Sequence, residues 1–227
     1  MISVAIDGPA GAGKSTIARK AAEMLGYIYV DTGALYRTIG LAAMRKNTDL
    51  KSKTELNALL GSINIELKFE NGVQKVFLNG EDVSEKIRTP ECGMMASDVS
   101  AIKEVRDYLL DTQRALAAKN NVIMDGRDIG TVILPNAQVK IFLTASPEVR
   151  AKRRYDEFLQ KGVQVKFDDV LADIILRDKN DSEREIAPLK PAADSVIADT
   201  SDDTLQQAID KVINIVTETL KTKRVIV

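Results

Sequence analysis

The chain has 227 residues, 44% hydrophobic and 29% charged, with 32 basic and 33 acidic side chains and a formal charge of −1. That length supports one compact core, and the balanced charge argues against a general nucleic-acid or membrane-surface binder. Histidine is absent and Cys92 is the single cysteine, which excludes imidazole acid–base chemistry, histidine-containing nucleophile systems, an intramolecular disulfide and a cysteine–histidine zinc site.

The N-terminal segment Met1 to Asp7 has no basic start and no long apolar stretch, so a cytosolic, reducing location is expected. Ile2 to Ile6 reads as a buried strand, and Ser15 to Leu25 as a helix with Ile17, Ala18, Ala21, Ala22 and Leu25 on one face and Gly26 just past its end. Tyr27 to Val30 is a second strand, followed by a helix from about Gly33 to Arg45. From Ile63 the period changes to two: Ile63, Ile65, Leu67 and Phe69 alternate with polar residues. Asn71-Gly72 and Asn79-Gly80 then separate Val73 to Leu78 and Glu81 to Ile87. Alternation punctuated by Asn-Gly pairs predicts consecutive hairpins, an antiparallel insertion over residues 61–88.

Thr89-Pro90 opens the next helix, and Ile102, Val105, Leu109, Thr112 and Leu116 mark one face of a longer one. Val122 to Met124 and Val139 to Leu143 are further apolar strands, and Ser146-Pro147 starts the helix after the latter. A second short helix is expected before Arg177, Asp181 and Arg184. Ser195 to Ala198 is the last strand, and the terminal helix carries Leu205, Ile209, Val212, Ile213, Val216 and Leu220 at helical spacing. Alternating strands and helices with continuous apolar strands imply a parallel sheet covered on both faces.

Gly8-Pro9-Ala10-Gly11-Ala12-Gly13-Lys14-Ser15 fits the phosphate-loop pattern G-x-x-x-x-G-K-[ST], between a strand and a helix as that motif requires. Its backbone amides and the helix N-terminus suit phosphate oxygens. The Lys14 ammonium suits the β and γ phosphates, and the Ser15 hydroxyl a magnesium ion. No Asn-Lys-x-Asp guanine-reading motif is present, which leaves a small-molecule kinase as the favoured class. Arg37 stands beyond the second strand, and Arg127 and Asp128 stand beyond Val122 to Gly126. Both arginines therefore face the crevice where ligands of open α/β sheets bind. Asp125, at the end of its strand, suits either a turn or an outer position behind the metal.

At these residues the sequence resembles the bacterial cytidylate kinase family. The phosphate loop, Asp31-Thr32-Gly33-Ala34-Leu35-Tyr36-Arg37, Asp125 to Thr131, Arg153-Arg154, Arg177 to Arg184 and the insertion together carry the likeness over essentially the whole chain. The resemblance implies an α/β fold of the P-loop NTPase type: a five-stranded parallel sheet flanked by helices, a small antiparallel β insertion, and a lid. One domain over 1–227 would then comprise a core of 1–60 and 89–227, the insertion at 61–88 and a lid at about 150–184.

The resemblance also implies magnesium-dependent transfer of the ATP γ-phosphoryl group to CMP or dCMP. Gly8 to Ser15 and Thr16 would hold ATP. Arg37 and Arg127 would hold the CMP phosphate, with Thr32 and Tyr36 alongside, and Ser97, Arg106 and Asp128 would read the base. Arg177 and Asp181 would contact the sugar and Arg184 the phosphate region, while Lys14, Arg127, Arg153, Arg154 and Arg177 would stabilise the transferring group. Thr32 stands where some members of that family carry serine, and the 178–184 stretch is less arginine-rich than in some of them. Nothing in the sequence demands more than a monomer. Two other readings stand beside this one: a P-loop kinase for another small acceptor such as UMP, and a non-catalytic nucleotide-binding regulator.

Overall fold

The computed structural model describes residues 1–70, 73–160 and 162–224. A parallel sheet runs in the order β2-β6-β1-β7-β8, formed by Ser3–Asp7 (β1), Ile28–Asp31 (β2), Val122–Gly126 (β6), Val139–Thr144 (β7) and Val196–Asp199 (β8). Val4, Ala5, Ile6, Ile123, Met124 and Val139 are fully buried, as strands covered on both faces must be. On one face pack Lys14–Leu25 (α1) and Leu205–Thr222 (α8), joined through Ile17, Ala21, Val212 and Val216. On the other, Lys103–Lys119 (α5) packs through Ala117 against Val122, Met124 and Ile129.

Several expectations from sequence hold. Gly26 closes α1 in the left-handed conformation at φ 68°, and Ser146 Oγ caps Pro147–Gln160 (α6) by accepting from Val149 N. Thr89 caps Pro90–Ser100 (α4) by accepting from Cys92 N. Where β1 leaves the sheet, a Cβ on Gly8 would lie 1.9 Å from the Leu143 carbonyl oxygen. Only glycine lets the chain turn there, so the phosphate loop begins at the end of the central strand.

The insertion forms a separate antiparallel sheet, β3-β4-β5, from Ile65–Glu70, Val73–Leu78 and Glu81–Asp82. Asn79 (φ 50°) and Gly80 (φ 84°) make the second turn, as the Asn-Gly pair predicts; the first pair, Asn71-Gly72, lies outside the described residues. The alternation places Ile65 inside and Glu66, Lys68 and Glu70 outside.

Five details depart from the sequence reading. The third strand stops at Asp82, because the Ser84 hydroxyl accepts from Val76 N and the chain turns into a short 3-10 helix, Lys86–Arg88. A helix at Lys53–Gly61 (α3) follows Thr32–Lys46 (α2); Ser52 caps it with Glu55 in its first turn, and it buries Leu56, Leu59 and Leu60. On α5 the buried stripe runs Val105, Leu109, Gln113 and Ala117, so a polar residue takes the place expected of the exposed Thr112. On α8 the stripe begins at Ala208, leaving Leu205 exposed. Arg177 and Asp181 lie within the 17-residue helix Phe167–Glu183 (α7) rather than after a short one, and Arg184 is its C-cap. Helices α6 and α7 pack on each other through their own small cluster, Ala151, Val170 and Ile174.

Candidate active site

The strand order reverses on either side of β1, which puts a crevice at the carboxyl ends of β1, β2 and β6. The phosphate loop forms its floor. Lys14 is buried and donates from Nζ to the Pro9 carbonyl oxygen at 2.7 Å. Burial, together with the neighbouring Arg127 charge, holds its ammonium well below the ordinary lysine range. Such a cation gains most when an anion arrives.

Behind the loop sits Asp125. Its carboxylate accepts from Ser15 Oγ at 3.0 Å and from Tyr29 Oη at 2.9 Å, and its backbone oxygen from Thr32 Oγ1 at 2.7 Å. Burial, reinforced by the Asp31 charge, pushes its pKa up to about 6. An exposed serine hydroxyl backed by a buried carboxylate offers hard oxygens on one side only. That donor set fits an ion such as magnesium, which keeps several waters and takes the rest of its shell from nucleotide phosphates.

The opposite wall is built on buried carboxylates, each gripping arginines. Asp128, just beyond β6, pairs through Oδ2 with Arg106 of α5 and through Oδ1 with Arg184 at 3.5 Å. Arg106 stacks over the Tyr36 ring, 5.7 Å from its centroid, and donates to the Ser100 carbonyl. Burial raises the Asp128 pKa, and Arg106 opposes the rise. Arg127 donates from Nε to Asp181 Oδ2 at 2.9 Å, which ties the β6 end to α7. Arg177 lies half-buried on the same helix, its pKa lowered by burial and then by Arg127. At the end of β2, Asp31 caps α2 by accepting from Ala34 N, and its other oxygen meets Arg37 at 3.7 Å and Arg88 at 2.9 Å.

The residues singled out in the sequence are not all equally engaged. Lys14, Ser15, Asp125, Thr32, Tyr36, Arg37, Arg106, Arg127, Asp128, Asp181 and Arg184 share the crevice or its walls through the contacts above, and Arg177 lies on α7 within the influence of the Arg127 charge. Ser97 is half-buried on α4, with its carbonyl accepting from Ser100 Oγ. Arg153 is turned to Thr200, donating to its carbonyl oxygen at 2.7 Å, and Arg154 pairs with Glu157 and stacks on Phe158.

Four contributors escaped the sequence reading. Asp7 accepts from Ile129 N and Gly130 N at 2.7 and 2.8 Å, so the strand feeding the phosphate loop also holds the Arg127–Asp128 loop. Arg150 is buried and donates to the Ala10 and Ala145 carbonyls while gripping Asp178. Tyr29 steadies Asp125, and Ser100 receives both Arg106 and Arg184. Only Asp7, at a strand end beside the loop, carried a sequence signal. The contacts of Arg150 with Ala10 and Asp178, of Tyr29 with Asp125 and of Ser100 with Arg184 join residues too distant in the chain for spacing to show.

A phosphate loop at the carboxyl edge of a parallel sheet, faced across a crevice by converging arginines, defines a P-loop kinase for a small phosphorylated acceptor. Comparison with known proteins makes the class specific. The sequence model of the family described as cytidylate kinase matches residues 4–218. A cytidylate kinase of Caldicellulosiruptor bescii is 50% identical over 220 residues, covering 97% of each chain. A cytidylate kinase of Bacillus subtilis is 49% identical over 215 residues, covering 95% of this chain and 96% of its own. Among solved structures, a gluconokinase from Sinorhizobium meliloti shares the fold, with a TM-score of 0.50, 14% identity and coverage of 98% and 95%. The chain belongs to the cytidylate kinase family and is a nucleoside monophosphate kinase.

Proposed function

We propose that this protein transfers the γ-phosphoryl group of ATP to CMP or dCMP, giving ADP and CDP or dCDP, with magnesium bound alongside ATP. The observation that carries the acceptor's identity is Asp128. It is a buried carboxylate at the crevice wall, fixed between Arg106 and Arg184 beside the Tyr36 ring. The 4-amino group of cytosine donates a hydrogen bond and suits that carboxylate, whereas uracil presents an oxygen there and is repelled. The relatives named cytidylate kinase support the same reading.

In this scheme Gly8, Pro9, Ala10, Gly11, Ala12, Gly13, Lys14, Ser15 and Thr16 hold ATP, with Lys14 on its terminal phosphates. Ser15 would ligate magnesium and Asp125 would orient it from behind. The ion would neutralise phosphate charge. Arg37 and Arg127 take the acceptor phosphate, where guanidinium forks match phosphate oxygens, and Thr32 and Tyr36 line its pocket. Ser97 and Arg106 join Asp128 at the base, Arg177 and Asp181 meet the sugar, and Arg184 lies near the phosphate. No side-chain base is required, because the acceptor phosphate is already a nucleophile near neutral pH. The chain's task is to align the two phosphates and spread positive charge around the transferring group.

Arg153 and Arg154 belong to α6, which with α7 forms the region we assign as a lid, about 150–184. Closure would exchange their contacts to Thr200 and Glu157 for phosphate and exclude water. An ADP-release assay across CMP, dCMP, UMP and AMP tests the assignment. CMP and dCMP should lead UMP by at least tenfold. Equal rates with UMP would overturn the role given to Asp128.

A further inference from the structure

The edge of the core sheet at β2 is closed by a side chain. β6 pairs with one side of β2, with Asp31 opposite Asp125. On the other side, Asp31 N donates to Gln74 Oε1 at 2.9 Å, and Gln74 Nε2 donates back to the Asp31 carbonyl oxygen at 3.2 Å. The backbone N–H fixes which end of the carboxamide faces it, so the orientation follows from the network. One carboxamide thereby satisfies both main-chain groups, as a neighbouring strand would. Gln74 comes from β4, the central strand of the small sheet, opposite Phe69.

The same residue is held again from the insertion's far end. Arg88 donates to Asp31 Oδ2 at 2.9 Å, the oxygen that Arg37 approaches at 3.7 Å. Asp31 Oδ1 caps α2, the helix that begins at Thr32 and carries Tyr36 and Arg37. Main chain and side chain of this single aspartate therefore both rest on the insertion. The three acceptor-side residues follow within six positions of it.

We infer that Gln74 is a positioning residue for the acceptor site: its carboxamide pairs with the open edge of β2 and fixes the segment from which Thr32, Tyr36 and Arg37 project. The inference rests on the acceptor reading above, since Arg37 is the group whose placement matters. Gln74→Leu keeps the size of the side chain and removes both hydrogen bonds, leaving the Asp31 N–H and carbonyl unpaired. The phosphate loop lies on β1, two strands away in the sheet, so ATP binding is expected to be spared.

The experiment measures steady-state constants for both substrates and amide hydrogen exchange at Asp31, in the wild type and in Gln74→Leu. The expected result is a rise of about fivefold to tenfold in KM for CMP, with KM for ATP within twofold. Exchange at the Asp31 amide should be at least tenfold faster, while the amides of β1 keep their protection. A general loss of packing would move both substrates and the β1 amides together, and would overturn the inference. So would an unchanged KM for CMP, or an Asp31 amide that exchanges as in the wild type. Gln74→Glu provides a second variant should the leucine variant fold poorly. Its carboxylate still accepts from the Asp31 N–H but cannot donate to the carbonyl, and it adds negative charge beside Asp31, so the same selective rise is expected. Failure of the acceptor reading would appear separately, as a wild-type enzyme with no preference for cytidine nucleotides, whereas the exchange measurement needs no substrate.

Discussion

Lys14, to which we assign charge stabilisation of the transferring group, is unfavourable to the empty fold. Its ammonium is buried, rests on a backbone carbonyl and sits near Arg127. Lys14→Ala should therefore lower turnover by about a thousandfold, in line with the loss of a principal charge donor at a reacting centre. It should leave the thermal midpoint unchanged or slightly higher, because a poorly compensated buried charge is gone. Rapid-quench kinetics and a melting curve on the same preparation separate the two effects. The role we propose for the lysine follows from the loop motif alone. Its cost does not, because burial and the approach of Arg127 depend on residues more than a hundred positions away.

At the scale of elements, α5 carries apolar packing and buried polar side chains on one helix. Its buried stripe alternates apolar Val105 and Leu109 with Arg106 and Gln113. Arg106 is matched by Asp128. The Gln113 carboxamide approaches the Tyr36 hydroxyl, but among the described residues its buried Nε2 makes no hydrogen bond of good geometry. Gln113→Met should change stability by no more than about 1 kcal/mol, since a poorly paired buried donor is replaced by an apolar group of similar length. Leu109→Ala on the same stripe should cost about 2–5 kcal/mol. Urea unfolding of both variants checks the contrast.

Helix α5 also shows the limit of periodicity. The helix was legible, but the face was misjudged by one position because a polar Gln113 occupies the core and Thr112 does not. Helix α3 was missed although Ser52 and Glu55 give the capping signature S-x-x-E; its nine residues are too few for a strong repeat. The hairpins were legible because period-two alternation and Asn-Gly turns are local signals. Their attachment to β2 through Gln74 was not, since it joins positions 43 apart by a side chain.

For the whole molecule, the alternation of strands and helices was enough to give the parallel sheet, and the strand-end rule gave the crevice. What the sequence could not supply was the charge balance inside it. Asp7, buried beneath the crevice, has its pKa raised to about 6 by burial, with the two backbone amides opposing the rise. A carboxyl whose folded pKa exceeds its unfolded value contributes stability that is complete below about 4 and is lost as pH rises through about 6. Asp7→Asn cannot titrate. Its stability relative to the wild type should therefore climb by up to roughly 3 kcal/mol between pH 4 and pH 7, on top of a constant penalty for an amide that gives one acceptor to two donors. Denaturation at several pH values reads the difference directly; a pH-independent gap would refute the assignment.

The buried lysine on the loop floor has one more consequence, for the life of the protein rather than its chemistry. A cation held below its ordinary range is relieved when a polyanion binds, so substrate also acts as a folding ligand. With ATP bound there as we propose, the nucleotide supply would set how fast the enzyme works and also how much of it survives heat and proteolysis. A cell short of ATP would hold a shorter-lived population of this kinase.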